Sequence, residues 1–254
     1  LTLTNDKTFN NADGVDMDQP ISETFTAGQT VKAESTTVYA NEPAFSTTLY
    51  TGTGSSQTIP TGIDNSNKAL VWIKDRDEAS IHVLTDTING PGTRLSSDKT
   101  NGLAVGLDTV YEFNSDGFAL GNTGSPSAVN STGNNFVAWN FRAAPGFFDI
   151  LEYAGDGEDQ RAVPHDLGSV PGFIVIKSTS SGNWLCWHNS LPPSNVIQLN
   201  SNETAQPYNR IDEVTDTSFR VSPISSWVGS TNTDGEDYIA YLFAGSDLIK
   251  CGKY

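Results

Sequence analysis

Gly172-Phe-Ile-Val-Ile-Lys177 is an unbroken apolar run that ends on a cation. Ala69-Leu-Val-Trp-Ile-Lys74 carries the same pattern 103 residues earlier, counting from Leu70 to Phe173. Runs of this length, rich in Val, Ile and aromatics, suit strands covered on both faces, as in a sandwich core. Phe136–Phe141 and Tyr238–Phe243 read the same way. Gly, Pro, Asn or Ser interrupts almost every window that could hold a helical period. The fold class that follows is all-β, with antiparallel strands joined by Gly/Asn/Ser turns, because each sheet must bury a face against another element.

Further blocks recur in the same order. Phe45–Gly54 lines up with Phe148–Gly157 at an offset of 103, and both contain Tyr-x-Gly-x-Gly, at Tyr50-Thr-Gly52-Thr-Gly54 and Tyr153-Ala-Gly155-Asp-Gly157. Phe118 aligns with Phe219 at 101, and Gly133–Phe141 with Gly235–Phe243 at 102. Such conserved order predicts two tandem homologous β-sandwich domains, jelly-roll or lectin-like, over 44–144 and 147–254. Pro43 and Pro145 stand where linkers would fall. Residues 1–43 fit neither copy; the alternation at Leu1–Thr4 and Thr24–Val31 suggests a short β segment or the end of an upstream domain.

Composition narrows the function classes. The 254 residues hold 14 Lys+Arg against 30 Asp+Glu, a formal net charge of −16. That balance argues against wrapping DNA or RNA, since phosphate contact needs cations. Charged residues are 17% of the chain, below the roughly 25% of ordinary globular proteins, so Ser, Thr, Asn and 23 Gly carry the polarity. No apolar run approaches the roughly 18 residues of a membrane span. The start at Leu1, without a basic-then-apolar leader, reads as a fragment or a processed product. Cys186 and Cys251 allow one bridge and no disulfide framework, so two lone thiols are expected.

Candidate chemistry is sparse. His82, His165 and His188 lack a second ligand at metal spacing, no Ser sits on a nucleophile elbow, and the Gly-x-Gly pairs lack the rest of a dinucleotide fingerprint. No metal, cofactor or catalytic residue is expected. Asp-Gly-Glu-Asp at Asp156–Asp159 and Asp234–Asp237 could hold calcium, but Asx-Gly is also ordinary turn chemistry. Trp184, Trp187 and Trp227 have no Trp at the matching places of the first copy. If exposed, they could stack on sugar rings; the competing reading is core filling. Asn130-Ser-Thr132 and Asn202-Glu-Thr204 match the glycosylation acceptor pattern.

The order aromatic–Tyr-x-Gly-x-Gly, Ile-Lys block, Ser-x-x-Phe and Gly-x-x-Tyr-Ile-Ala-Tyr resembles an uncharacterised repeat domain of marine bacteriophage tail-fibre-like and virion structural proteins. Val163-Pro-His165-Asp-Leu167-Gly168-Ser-Val-Pro171 and Ile249-Lys250-Cys-Gly252-Lys-Tyr254 carry the resemblance furthest, and it weakens in the first copy, where Thr61 stands in place of the His. The resemblance implies a virion protein of tail fibre, spike or capsid decoration, with no enzyme activity, self-assembled as a trimer and contacting neighbouring virion proteins. A carbohydrate-binding module for host-surface glycans is the second expectation, and a polysaccharide depolymerase the third.

Overall fold

The computed structural model describes residues 43–252 apart from 107, 123–126, 208–209 and 224–229. The expectations for residues 1–43 therefore fall almost wholly outside the described residues. Within the described part lie seventeen strands in four antiparallel sheets and no helix. The first half runs β1 (Phe45–Thr51), β2 (Gln57–Pro60), β3 (Ala69–Asp75), β4 (Val83–Asp86), β5 (Thr93–Ser96), β6 (Ala104–Val105), β7 (Val110–Asn114), β8 (Gly117–Leu120) and β9 (Asn135–Arg142). The second runs β10 (Phe148–Ala154), β11 (Arg161–Pro164), β12 (Pro171–Ser178), β13 (Leu185–His188), β14 (Ile197–Gln198), β15 (Ile211–Asp212), β16 (Ser218–Val221) and β17 (Asp237–Ala244).

Each half pairs a large sheet with a small one. The orders are β1-β9-β3-β4-β5-β6 over β2-β8-β7, and β10-β17-β12-β13-β14 over β11-β16-β15. Strand alternation sends Val71 and Ile73 of β3 into a core with Phe118 and Phe136, while Leu70 and Trp72 face the other way. On β12, Ile174 and Ile176 pack with Leu185 and Phe219, and Phe173 and Val175 face away. Those outward faces meet each other. Leu70, Leu84 and Leu95 share one core with Phe148, Ile150, Val175, Trp184 and Tyr241, so the sheets stack small, large, large, small. The two apolar runs are therefore middle layers, which explains why neither has a polar face.

The Tyr-x-Gly-x-Gly motifs show why their residue types recur. Tyr50 stacks on Phe136 at 5.2 Å and donates to Val129 O at 2.7 Å. Tyr153 stacks on Tyr238 at 5.1 Å and donates to Thr231 O at 2.6 Å. Beside each Tyr hydroxyl sits a buried Asn. The Asn130 amide accepts from Thr53 N (2.9 Å) and Gln57 Nε2 (2.7 Å), and donates to Ser55 O (2.8 Å) and Gly121 O (3.1 Å). With 0% exposure and every amide atom engaged, Asn130 is a structural clamp and no glycosylation acceptor; Asn202 is exposed. Asn130→Ala is expected to destabilise by about 3 kcal/mol, because several buried groups lose their partner at once. The midpoint of urea unfolding measures it, and a loss under 1 kcal/mol contradicts the clamp.

Pro145 does not begin a free linker. Residues 143–147 make a tight turn in which Ala144 and Phe148 exchange backbone bonds (3.0 and 3.2 Å), and Gly146, at φ +69°, donates to Leu167 O at 2.7 Å. All described residues belong to one compact unit.

Candidate functional site

Where the two large sheets diverge, an apolar cleft of about 430 Å³ remains between them. Leu70, Trp72 and Phe141 form one wall, and Phe173, Tyr241 and Phe243 the other. His188, Leu199, Ile249 and Cys251 complete the lining, and no Asp, Glu, Lys or Arg contributes to it. Period-2 alternation places the walls: these side chains stand on the faces of β3, β9, β12 and β17 turned away from each half's own small sheet. The sequence signal for the cleft was therefore present as aromatics on the second face of each central strand.

Polar groups fasten the sheets beside the cleft. Tyr241 OH donates to Asp86 Oδ2 at 2.8 Å, and Lys68 Nζ meets Asp149 Oδ1 at 3.0 Å. Burial raises the Asp86 carboxyl above the ordinary range, although Asn89, Tyr241 and Ile88 donate to it. Loop backbones join as well: Leu103 N donates to Thr179 O (2.7 Å) and Gly182 N to Thr100 O (2.8 Å).

The three tryptophans separate. Trp184 is 0% exposed, and its indole N–H donates to Ser96 O (2.9 Å) and Lys99 O (3.1 Å), so it offers no face to a sugar in solvent. The physical reason is the packing of the halves, which turns its position into an interior one. Trp187 is half-buried against the core of the second half. Trp227 lies outside the described residues.

The histidines stay apart too. His165 is buried on Phe219; its Nδ1 accepts from Leu167 N at 3.3 Å, which braces the Pro-His-x-Leu-Gly turn. Burial lowers its pKa. His82 packs edge-on to Trp72, and His188 Nδ1 bonds Ser190 Oγ at 2.7 Å. Both cysteines are free; burial pushes the Cys186 thiol up to about 12. Among the described residues no group of three or more His, Cys, Asp or Glu could hold a metal.

Acidic side chains serve the turns. Asp156 accepts from Asn232 Nδ2 (2.7 Å) and Glu158 N (3.0 Å) and pairs with Arg161 at 3.1 Å, which together hold its carboxyl below the usual range. An open polar basin of about 700 Å³ is lined by Asp75, Glu78, Asp108, Ser127, Ser131 and Asn134. Its Asp75 accepts from Asn134 Nδ2 and from the N–H groups of Asp77 and Glu78, and its Asp108 pairs with Arg94 at 2.7 Å.

Lys177, like Arg210, is a cation with no exposed surface. It is 0% exposed, donates to Ser178 O at 2.6 Å, and burial brings its pKa down to about 8 against the partial support of Glu236. The unfolded amine keeps its proton to about 10.5. Between those values the unfolded chain binds more protons, so stability rises with pH across that window. Relative to Lys177→Met, the native chain is expected to gain about 2–3 kcal/mol between pH 7.5 and 10.5. Parallel pH profiles of unfolding for the two proteins would expose the error.

A family model described as a domain of unknown function, DUF7483, matches residues 41–248 and so spans both halves. No curated protein and no solved structure matches.

Proposed function

We propose, for a chain that belongs to the DUF7483 family, a virion structural role: a segment of tail fibre, spike or capsid decoration that supplies a stiff β scaffold for assembly and host-surface attachment. The observation that carries this reading is the locked contact between the two large sheets, which joins two sandwiches through one core, a buried Asp–Tyr bond and paired loop backbones. A body so fastened transmits force without hinging, since packed interiors are poorly compressible. The halves are two copies of one duplicated unit in this reading. Its support is the matching strand orders, the matching Tyr stacks, and the buried Asn130 and Asn232, 102 positions apart, each holding a Gly-x-Gly turn.

The role is mechanical rather than catalytic, and the partners are further copies of the chain, as a trimer, with neighbouring virion proteins. A net charge of −16 keeps such copies from clumping at random, while salt screening within roughly 10 Å still permits specific contact. No observation favours glycan binding over this reading. Immunogold labelling with an antibody to the full chain, together with mass spectrometry of purified particles, tests it. Label on an appendage or shell is the expected result; a chain found only in the soluble fraction of lysed cells overturns it.

A further inference from the structure

The outer strand of a sheet exposes unpaired backbone N–H and C=O groups, and proteins blunt such edges with short strands, charges, Pro or bulges. Among the described residues, the four sheets have eight outer strands, and seven of them are blunted. β6, β14 and β15 have only two residues each. β2 and β11 end on Pro60 and Pro164. β7 is broken by a register shift between Val110 and Glu112, and β10 carries Asp149 and Glu152. β1 has none of these devices. Its seven residues, Phe-Ser-Thr-Thr-Leu-Tyr-Thr, are uncharged and pair with β9 residue for residue without a shift.

Ladder parity shows which groups are free. Ala44 O accepts from Arg142 N (2.8 Å) and Gly52 N donates to Asn134 O (2.8 Å), at the two ends of the β1–β9 ladder. Antiparallel pairing alternates bonded with non-bonded pairs, so Ser46, Thr48 and Tyr50 bond to β9. Phe45, Thr47 and Leu49 turn their N–H and C=O groups outward, and among the described residues nothing bonds them there. The outward carbonyl of Thr51 is already used by Gln57 Nε2 at 3.3 Å. Phe45 and Leu49 are also 44% and 62% exposed. The second half lies toward the other end of this sheet, where Trp184 reaches Ser96 and Lys99 beside β5, and leaves β1 outside.

Only an extended strand can continue such a ladder, and β1 complements itself. Turned about a two-fold axis at Thr47, a second β1 sets Phe45 opposite the partner's Leu49 and Thr47 opposite the partner's Thr47. Every free N–H then meets a free C=O, and apolar side chains meet across the strands. The neighbouring even register sets Phe45 against the partner's Thr51, whose carbonyl is taken. An odd slip sets outward groups against inward ones. Two chains at −16 repel, and β1 is an edge at which no like charges come together.

We propose that β1 pairs antiparallel with β1 of a second copy, centred on Thr47, and joins the two six-stranded sheets into one. The inference is independent of the virion role: it concerns one edge, and doubles whatever assembly the rest of the surface makes.

Sedimentation equilibrium of the full chain at about 0.1 mM, where micromolar pairing is nearly complete, tests the proposal. The comparison is Thr47→Lys, which sets two ammonium groups directly opposite each other. The unsubstituted chain is expected to have at least twice the mass of Thr47→Lys. Leu248→Lys, at a 73% exposed position outside β1, should keep the larger mass. Thr47→Cys and Thr51→Cys read the register, each against the parent chain with its own two thiols. A short bismaleimide should link Thr47→Cys between copies and leave Thr51→Cys unlinked, because a stagger of eight residues sets the two Thr51 positions roughly 27 Å apart. Equal masses for the chain and Thr47→Lys overturn the proposal. So does linkage at both positions, which would mean parallel strands, or at neither. The linkage comparison stands if Thr47→Lys fails to fold.

Discussion

Trp184→Ala is expected to cost about 4–5 kcal/mol and to divide a single unfolding transition into two. The side chain is fully buried in the core shared by the two large sheets. It lies near-parallel to Tyr241 with ring centroids 6.4 Å apart, and Tyr241 in turn donates to Asp86 of the first half. Truncating a buried tryptophan costs roughly 3–5 kcal/mol in transfer and cavity terms. Here the void also opens into the existing cleft, and the Ser96 and Lys99 carbonyls lose their shared donor. Trp187→Ala removes a half-buried ring from the second half alone and should cost about 1–2 kcal/mol with cooperativity retained. Urea unfolding followed by circular dichroism compares the two. Equal losses, or a Trp184→Ala protein that still unfolds in one step, would mean that the halves are not joined through this residue.

That contrast marks what a sequence can reveal about such a protein. The strands at Ala69–Asp75, Pro171–Ser178 and Asp237–Ala244 were legible because both faces of each are apolar, and a strand with two apolar faces needs two covering layers. The identity of the second layer was not legible. Sequence offsets relate matching positions of the two halves, yet they carry no information about how one half packs on the other. Trp184 shows the consequence. It stands just before β13 as His82 stands just before β4, 102 residues earlier, and its ring type could not reveal whether that position faces solvent or a partner sheet. In the structure the second-half position is sealed by the Ser96–Lys99 segment, and the first-half position stays half-exposed beside Trp72. The same blindness affects polar motifs. Asn130-Ser-Thr132 has the spacing of a surface acceptor, but its amide clamps the Gly52–Gly54 turn from inside, because long-range partners rather than near neighbours satisfy it.

Gly155→Ala, although outside the shared core, should cost about 3 kcal/mol or more. A Cβ at this position would sit 2.0 Å from Thr233 O and 3.1 Å from Tyr238 Cε2. The nearer obstacle is backbone, pinned by Gly155 N donating to Glu236 O (2.7 Å) and Gly235 N donating to Gly155 O (3.2 Å). It cannot swing aside as a side chain would, and overpacking of this kind typically costs 1–3 kcal/mol before the hydrogen bonds are lost. Tyr153 adds to the penalty, since its stack on Tyr238 and its bond to Thr231 O depend on the two segments keeping their present separation. Gly235→Ala separates sterics from backbone preference. That residue, unlike Gly155, has a positive φ of +77°, but nothing lies within 4 Å of its would-be Cβ, so only the left-handed conformation is penalised, by about 1–2 kcal/mol. Gly52, whose Cβ would lie 2.2 Å from Ser131 O, should behave as Gly155 does. If thermal unfolding shows Gly235→Ala losing as much as Gly155→Ala, the close approach of the two segments is not what selects glycine in the Tyr-x-Gly-x-Gly motif.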